Sequence, residues 1–62
     1  MIEYVSVYNQ LGEQVETKIF DFDGWWYIHN LTDDTCIPMG YMDNIEQVKN
    51  WMTEQGNEII KE

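Results

Sequence analysis

The sequence predicts an α+β fold, a small antiparallel sheet of three to four strands with one C-terminal helix packed on it. Strand-forming residues fill the first third of the chain, and Asp23-Gly24 is a hairpin-turn dipeptide between apolar runs. An apolar stripe with helical spacing follows Asp43. All of this lies within 62 residues, a length that suits one small domain, so we treat residues 1–62 as a single domain.

The first half of the chain alternates strand-like runs with turn formers. Residues 2–8 are rich in β-branched and aromatic side chains and predict a first strand, followed by a four-residue turn at residues 9–12. Residues 14–22 and 25–31 predict the second and third strands. Asp23-Gly24 between them suits a two-residue type I′ turn, because both of its central positions need a positive φ.

A polar turn at residues 32–35 separates the third strand from a short fourth strand at residues 36–39. Pro38 lacks a backbone N–H group and therefore restricts this fourth strand to a sheet edge or a bulge.

The helix has signals at both ends. Asp43 is the predicted N-cap and Glu46, three residues on, completes a capping box. Gly56 lies where a C′ glycine would end the helix. Residues 57–62 are then expected to form a short final strand, with continuation of the helix as the alternative. The apolar stripe consists of Ile45, Val48 and Met52, with Trp51 beside them.

Strand pairing predicts which side chains share a face. A turn at Asp23-Gly24 places Phe22 opposite Trp25 and Phe20 opposite Tyr27. A four-residue first turn places Glu3 opposite Lys18, a favourable charge pair. One face is then expected to carry Val5, Val7, Phe20, Phe22, Trp25 and Tyr27, and the other Ile2, Tyr4, Val15, Ile19, Trp26 and Ile28. Because one helix covers one face, the second face is expected to expose large apolar groups or to be wrapped by the sheet's own twist and the C-terminal tail.

Charge narrows the range of functions. Twelve carboxylates face three lysines and no arginine, giving a net charge of −9. Such a surface repels phosphate backbones and anionic lipids, so direct nucleic-acid or membrane binding is disfavoured. No apolar run is long enough to cross a bilayer, and a signal-peptide pattern is absent, so we expect a cytoplasmic protein. The alternative to a functional role is that the charge only keeps a small, aromatic-rich protein in solution.

Catalytic and metal motifs are absent. His29 and Cys36 are the only soft metal ligands in the sequence, and neither belongs to a recognised ligand spacing. A Cys36–His29 pair across neighbouring strands is conceivable but leaves little room for a pocket. A cation site would have to use the carboxylates of Asp21, Asp23, Asp33 and Asp34, which lack the ligand order of a calcium loop. We therefore expect no cofactor, no metal and no enzymatic activity.

Adjacent tryptophans and regularly spaced carboxylates indicate protein binding. Trp25 and Trp26 point to opposite faces of a strand, so at most one belongs to the main core, and the other, with Tyr27, would anchor a partner. Carboxylates held at intervals on a rigid frame imitate a row of phosphates. The residues expected to bind a partner are Asp21, Asp23, Trp25, Trp26, Tyr27, Asp33, Asp34, Asp43 and Glu46.

In its small size, acidity, aromatic content and hairpin-plus-helix pattern, the chain resembles small accessory proteins of bacteriophages. Some of these inhibit host defence nucleases, as nucleic-acid mimics or anti-CRISPR proteins. The resemblance implies an inhibitor that works in the bacterial cytoplasm and engages a basic surface of a host nucleic-acid-handling or defence protein. The alternative is a homodimeric structural or assembly module that buries its spare aromatic face against a second copy.

Overall fold

A computed structural model describes residues 2–60, and within them one helix packs on one face of a five-stranded antiparallel sheet. The strands lie in the order β4-β3-β2-β1-β5, so the helix connects the two edges of the sheet. The predicted α+β class is confirmed. The elements are β1 (Ile2–Tyr8), β2 (Gln14–Phe22), β3 (Trp25–Asn30), β4 (Thr35–Tyr41), α1 (Ile45–Glu54) and β5 (Glu58–Ile60).

The β2–β3 hairpin has the predicted turn and register. Asp23 and Gly24 adopt φ values of 57° and 83°, the pair of positive values that a type I′ turn requires. Phe22 therefore faces Trp25, and the pairing continues without a shift to Thr17 and Asn30.

The β1–β2 register differs by one residue from the prediction. The loop spans five residues, 9–13, because the Asn9 side chain accepts hydrogen bonds from the backbone amides of Leu11 and Glu13, each at 2.9 Å. Tyr8 then pairs with Gln14, and Glu3 faces Ile19 rather than Lys18. A one-residue shift moves every side chain of a strand to the other face.

This shift corrects the predicted faces of β1. Val5 and Val7 lie in the core, whereas Ile2 and Tyr4 lie on the opposite face. The predicted Glu3–Lys18 pair is wrong: Glu3 forms an ion pair with Lys49 of α1 instead. Burial of two valines outweighs one exposed cross-strand charge pair, which contributes less than about 1 kcal/mol.

β4 is longer than predicted and lies at a sheet edge, where Pro38 is tolerated. Tyr27 pairs with Pro38 and Trp26 pairs with Gly40, so Met39 is an extra residue in a β-bulge. The extra residue shifts the alternation of β4 side chains between the two faces by one position after Pro38. The strand continues to Tyr41, which therefore lies opposite Trp25.

The helix begins one residue later than predicted. Asn44, not Asp43, is the N-cap, and its side chain accepts a hydrogen bond from the Gln47 amide at 3.2 Å. The Gln47 side chain reaches back to the Asp43 amide at 2.9 Å, so Gln47 rather than Glu46 completes the reciprocal cap. The predicted stripe is confirmed, because Ile45, Val48 and Met52 are all buried.

Gly56 ends the helix as predicted. Its φ is +94°, and the Gly56 and Asn57 amides donate to the carbonyls of Thr53 and Met52, as in a Schellman motif. The chain then turns into β5, which pairs with β1 at the sheet edge. The final strand is therefore confirmed for residues 58–60, whereas residues 61 and 62 lie outside the described part of the chain.

The core lies between α1 and one face of the sheet. Ile19 and Val48 are its most completely buried side chains. Thr17, the buried polar residue among those described, donates its hydroxyl to the Val5 carbonyl at 2.8 Å. The remaining core residues are Val5, Val7, Val15, Trp26, Ile28, Ile45 and Met52.

Candidate protein-binding face

The face of the sheet opposite α1, here called the open face, is not covered by any described element. Strand pairing arranges its side chains in rows across the sheet, and the rows at one end are apolar. The end row is Phe22, Trp25 and Tyr41; the next is Ile2, Phe20, Tyr27 and Pro38; the third is Tyr4, Lys18, His29 and Cys36.

Aromatic contacts order this face. The Trp25 and Tyr41 rings meet edge to face with centroids 4.8 Å apart, and Phe20 stacks on Tyr27 at 5.2 Å. These separations are typical of favourable aromatic pairs. The rings nevertheless remain accessible, since 74% of Phe22 and 76% of Tyr41 are exposed, along with 37% of Trp25.

The end row and the next row form one contiguous apolar patch. Their seven strand positions, each about 4.8 Å by 6.8 Å, outline roughly 230 Å² in projection. Contiguous apolar patches of a few hundred Å² on a monomer are often functional. Tyrosine and tryptophan are also the residues that most often dominate binding energies. The open face is therefore the best candidate for a binding surface among residues 2–60.

The predicted carboxylates are divided between the two ends of the sheet. Asp23 lies in the β2–β3 turn beside the end row of aromatic rings, and Asp43 follows β4 at the same end of the sheet, where its carboxylate accepts from the Gln47 side chain of α1 at 3.5 Å. Asp33 and Asp34 lie in the β3–β4 turn, about 20 Å away by the length of the six-residue β3. The structure thus forms two separate acidic ends rather than one row of phosphate-like charges.

Two further acidic candidates lie on the helix side. Asp21 pairs with Trp26, whose side chain is in the core, so Asp21 lies at the end of the helix-bearing face. Glu46 is in the first turn of α1, where its carboxylate lies 3.8 Å from the Lys49 ammonium. Lys49 joins Glu46 to Glu3 and so ties α1 to β1.

The two adjacent tryptophans have different environments. Trp26 is only 5% exposed, and its indole N–H donates to the Met42 carbonyl at 3.1 Å. Trp25 lies on the open face. Trp26 therefore belongs to the core, contrary to its prediction as a partner contact, whereas Trp25 and Tyr27 lie on the open face.

Sequence analysis left four residues of this face out of the site. Tyr41 lies beyond the predicted end of β4, and the wrong register grouped Ile2 and Tyr4 with Val15 and Ile19 on the opposite face. Phe22 was placed on the correct face but not named as a contact. Alternation from Trp25 through the bulge at Met39 to Tyr41 is visible only once the β3–β4 pairing is known.

The third row brings His29 opposite Cys36, and the Asp34 carboxylate lies 2.8 Å from His29 Nε2. The thiol is exposed on a flat part of the sheet. Throughout residues 2–60, no three His, Cys, Asp or Glu side chains are arranged to hold a metal ion. This cluster gives no enclosed reaction site.

A cleft of about 120 Å³ lies on the other face, between the sheet and the C-terminal half of α1. The cleft is lined by apolar side chains that include Val15, Ile28, Trp51 and Met52. None of its eleven lining residues is ionisable, so it holds no group for acid–base chemistry.

The fold and site together define a small α+β protein with a one-sided sheet and an aromatic open face. Within the described chain, no helix has the length and apolar character needed to cross a membrane. No family model, no curated protein and no solved structure matches this chain.

Proposed function

We propose that this chain is a non-enzymatic inhibitor that docks through its open face onto a basic surface of a host nucleic-acid-handling or defence protein. The observation that supports the proposal most is the uncovered aromatic face on a chain with a net charge of −9. The aromatic rows supply the desolvated centre of an interface, and the carboxylates supply its rim.

The charge distribution favours a basic partner. Lys18 is the one described cation on the open face, and its ammonium lies 5.1 Å from the Phe20 ring centroid. Carboxylates lie at both ends of the sheet beyond the apolar rows. A partner with an apolar centre and surrounding lysines or arginines would match this arrangement and would be attracted over a distance.

Size explains why inhibition, rather than catalysis, suits the chain. A stable interface buries about 800 Å² on each partner, so the apolar patch and the flanking turns would be used together. A chain that devotes one whole sheet face to its partner can occlude a nucleic-acid groove by occupying it. The carboxylates at the two ends of the sheet would then pair with basic residues on either side of that groove.

Affinity capture from a bacterial lysate with matched variants tests the proposal. The variant Phe22→Ser/Tyr41→Ser removes two exposed rings of the end row, whereas Leu11→Ser removes an exposed apolar side chain from the distant β1–β2 loop. We expect one nucleic-acid-handling or defence protein to be retained by the wild type and by Leu11→Ser, and lost with the double variant.

A charge comparison completes the test. Asp23→Asn/Asp43→Asn and Asp33→Asn/Asp34→Asn change the charge equally at opposite ends, and each pair contains one aspartate at positive φ, where asparagine is tolerated. Weaker capture at high salt and with either pair would support the basic partner. The proposal would be contradicted if neither the aromatic variant nor the charge variants changed the amount of partner that is captured.

A homodimer through the same face is the second candidate, because the aromatic rows of two copies are self-complementary in chemistry. The edges of the sheet do not favour dimerisation: β5 has three residues, and β4 carries Pro38 and a bulge. Each copy also carries −9, which opposes association. Sedimentation over a concentration series separates the candidates, since a tight dimer that Tyr41→Ser dissociates would favour self-assembly.

A further inference from the structure

We infer that the end row of the open face recognises arginine side chains of the partner. The three rings of this row, Phe22, Trp25 and Tyr41, are here called the aromatic corner. The inference rests on the proposed function and adds to it the chemistry of the partner residue. It requires a partner whose basic surface includes arginine and not lysine alone.

The first support is the proximity of rings and carboxylates. Asp23 directly follows Phe22 in the chain, and Asp43 follows Tyr41 by two residues. Because Trp25 pairs with both Phe22 and Tyr41, these elements meet at one end of the sheet. Asp23 and Asp43 are exposed. The Asp43 carboxylate accepts from the Gln47 side chain at 3.5 Å and so lies at the start of α1. A cation at the aromatic corner thus meets exposed rings beside Asp23, whose Cα is about 3.8 Å from that of Phe22.

The second support is that the aromatic corner is held in place before binding. The type I′ turn fixes the backbone on both sides of Asp23. The Tyr41 ring lies against this turn, since a Cβ built on Gly24 would be 3.7 Å from Tyr41 Cδ1. The edge-to-face contact with Trp25 orients the same ring. Little ordering remains for binding to impose.

The third support is the geometry of the guanidinium group. It is planar, stacks on aromatic faces and donates two parallel hydrogen bonds to a carboxylate, whereas an ammonium group is a compact and strongly hydrated charge. Exposed rings beside carboxylates suit both properties of arginine at once. The chain has no arginine of its own, so the corner has no internal guanidinium competitor.

Binding of two synthetic peptides by fluorescence anisotropy tests the inference. The probes are eight-residue peptides of alternating arginine and serine, or alternating lysine and serine, equal in length and charge. We expect the arginine peptide to bind the wild type about fivefold more tightly than the lysine peptide. The preference should persist at high salt, where the general attraction of the −9 chain is screened.

Variants locate the preference. Phe22→Leu/Tyr41→Leu keeps the surface apolar but removes the rings, so the two peptides should bind equally. These side chains are largely exposed, and circular dichroism checks that the fold is retained. Asp33→Asn/Asp34→Asn should weaken both peptides by the same factor, whereas Asp23→Asn/Asp43→Asn should weaken the arginine peptide more.

Equal binding of the two peptides to the wild type would overturn the inference, as would a preference that survives removal of the rings or absence of binding by either peptide. The lysate capture with serine variants is a separate readout. A captured partner lost with Phe22→Ser/Tyr41→Ser, together with equal peptide binding, would leave the proposed function standing and remove only its arginine chemistry.

Discussion

At the scale of single residues, glycine is favoured where the backbone adopts a positive φ. Gly12 and Gly56 both do so, at +79° and +94°. Gly12 has open space around it, whereas a Cβ on Gly56 would come within 2.9 Å of Gln10 Cγ. Gln10 also donates a hydrogen bond to the Gln55 carbonyl at the end of α1. The Gln10 side chain therefore joins the β1–β2 loop to the end of α1, and Gly56 leaves room for it.

Alanine at these two glycines separates backbone strain from crowding. We expect Gly12→Ala to lower the free energy of unfolding by about 1 kcal/mol, because alanine at positive φ is strained. Gly56→Ala should lower it by roughly a further 1 kcal/mol, since Gln10 must move and release its hydrogen bond. Urea unfolding measures both. In a Gln10→Ala background the two substitutions should have equal effects; a difference that remains would assign the excess to another cause.

At the scale of elements, the ends of α1 are set by local hydrogen bonds, and a one-residue change in the cap changes which residue matters. Asn44 and Gln47 form the cap, while Asp43 lies one position outside the helix. Both Asp43 and Asn44 are suitable N-cap residues by type. The burial of Ile45 at the first helical position fixes the choice, because it turns the apolar stripe toward the sheet.

Substitution of these two neighbours tests the observed cap. Asn44→Ala should lower the free energy of unfolding by about 1 kcal/mol, through loss of the bond to the Gln47 amide. Asp43→Ala should have a smaller effect, a few tenths of a kcal/mol, from loss of a negative charge near the helix N-terminus. Urea unfolding measures both free energies, provided that the variants share the same dependence of free energy on urea concentration. A larger effect of Asp43→Ala would favour the cap predicted from sequence.

At the scale of the whole molecule, one face of the sheet forms the core with α1, and the other is the open face on which we propose that a partner docks. The core uses small β-branched residues, Trp26 and the helix stripe, whereas most of the aromatic rings lie on the other side. A chain of 62 residues at about 0.05–0.15 kcal/mol per residue has a free energy of unfolding of roughly 3–9 kcal/mol. Exposure of so many rings in so small a protein is more economically explained by a partner than by folding.

The adjacent tryptophans test this division directly. Trp26→Ala should lower the free energy of unfolding by about 3–5 kcal/mol, enough to unfold most of the protein, because the ring fills the core. Trp25→Ala should lower it by less, about 1–2 kcal/mol, because a partly exposed ring loses its contact with Tyr41 and only part of a full burial. Circular dichroism during thermal unfolding compares them. Equal losses would mean that the open face contributes to stability as much as the core does.

Sequence alone determined the features that depend on neighbours in the chain. The Asp23-Gly24 turn, the pairing it sets between β2 and β3, the stripe of α1 and the stop at Gly56 follow from turn chemistry and periodicity. So did the expectation that one face would keep large apolar groups uncovered. These features rest on interactions within a few residues, and hence a sequence displays them.

Tertiary structure decided the features that depend on contacts between distant residues. It placed Val5 and Val7 in the core, turned Ile2 and Tyr4 outward, and brought Tyr41 to Trp25. The placements in β1 depend on the β1–β2 register, which is set by the hydrogen bonds of the Asn9 side chain. The placement of Tyr41 depends on the β3–β4 register, which is set by the bulge at Met39. A shift of one residue exchanges the two faces of a strand, and composition is the same in either register. The set of side chains on the open face is therefore decided by strand pairing.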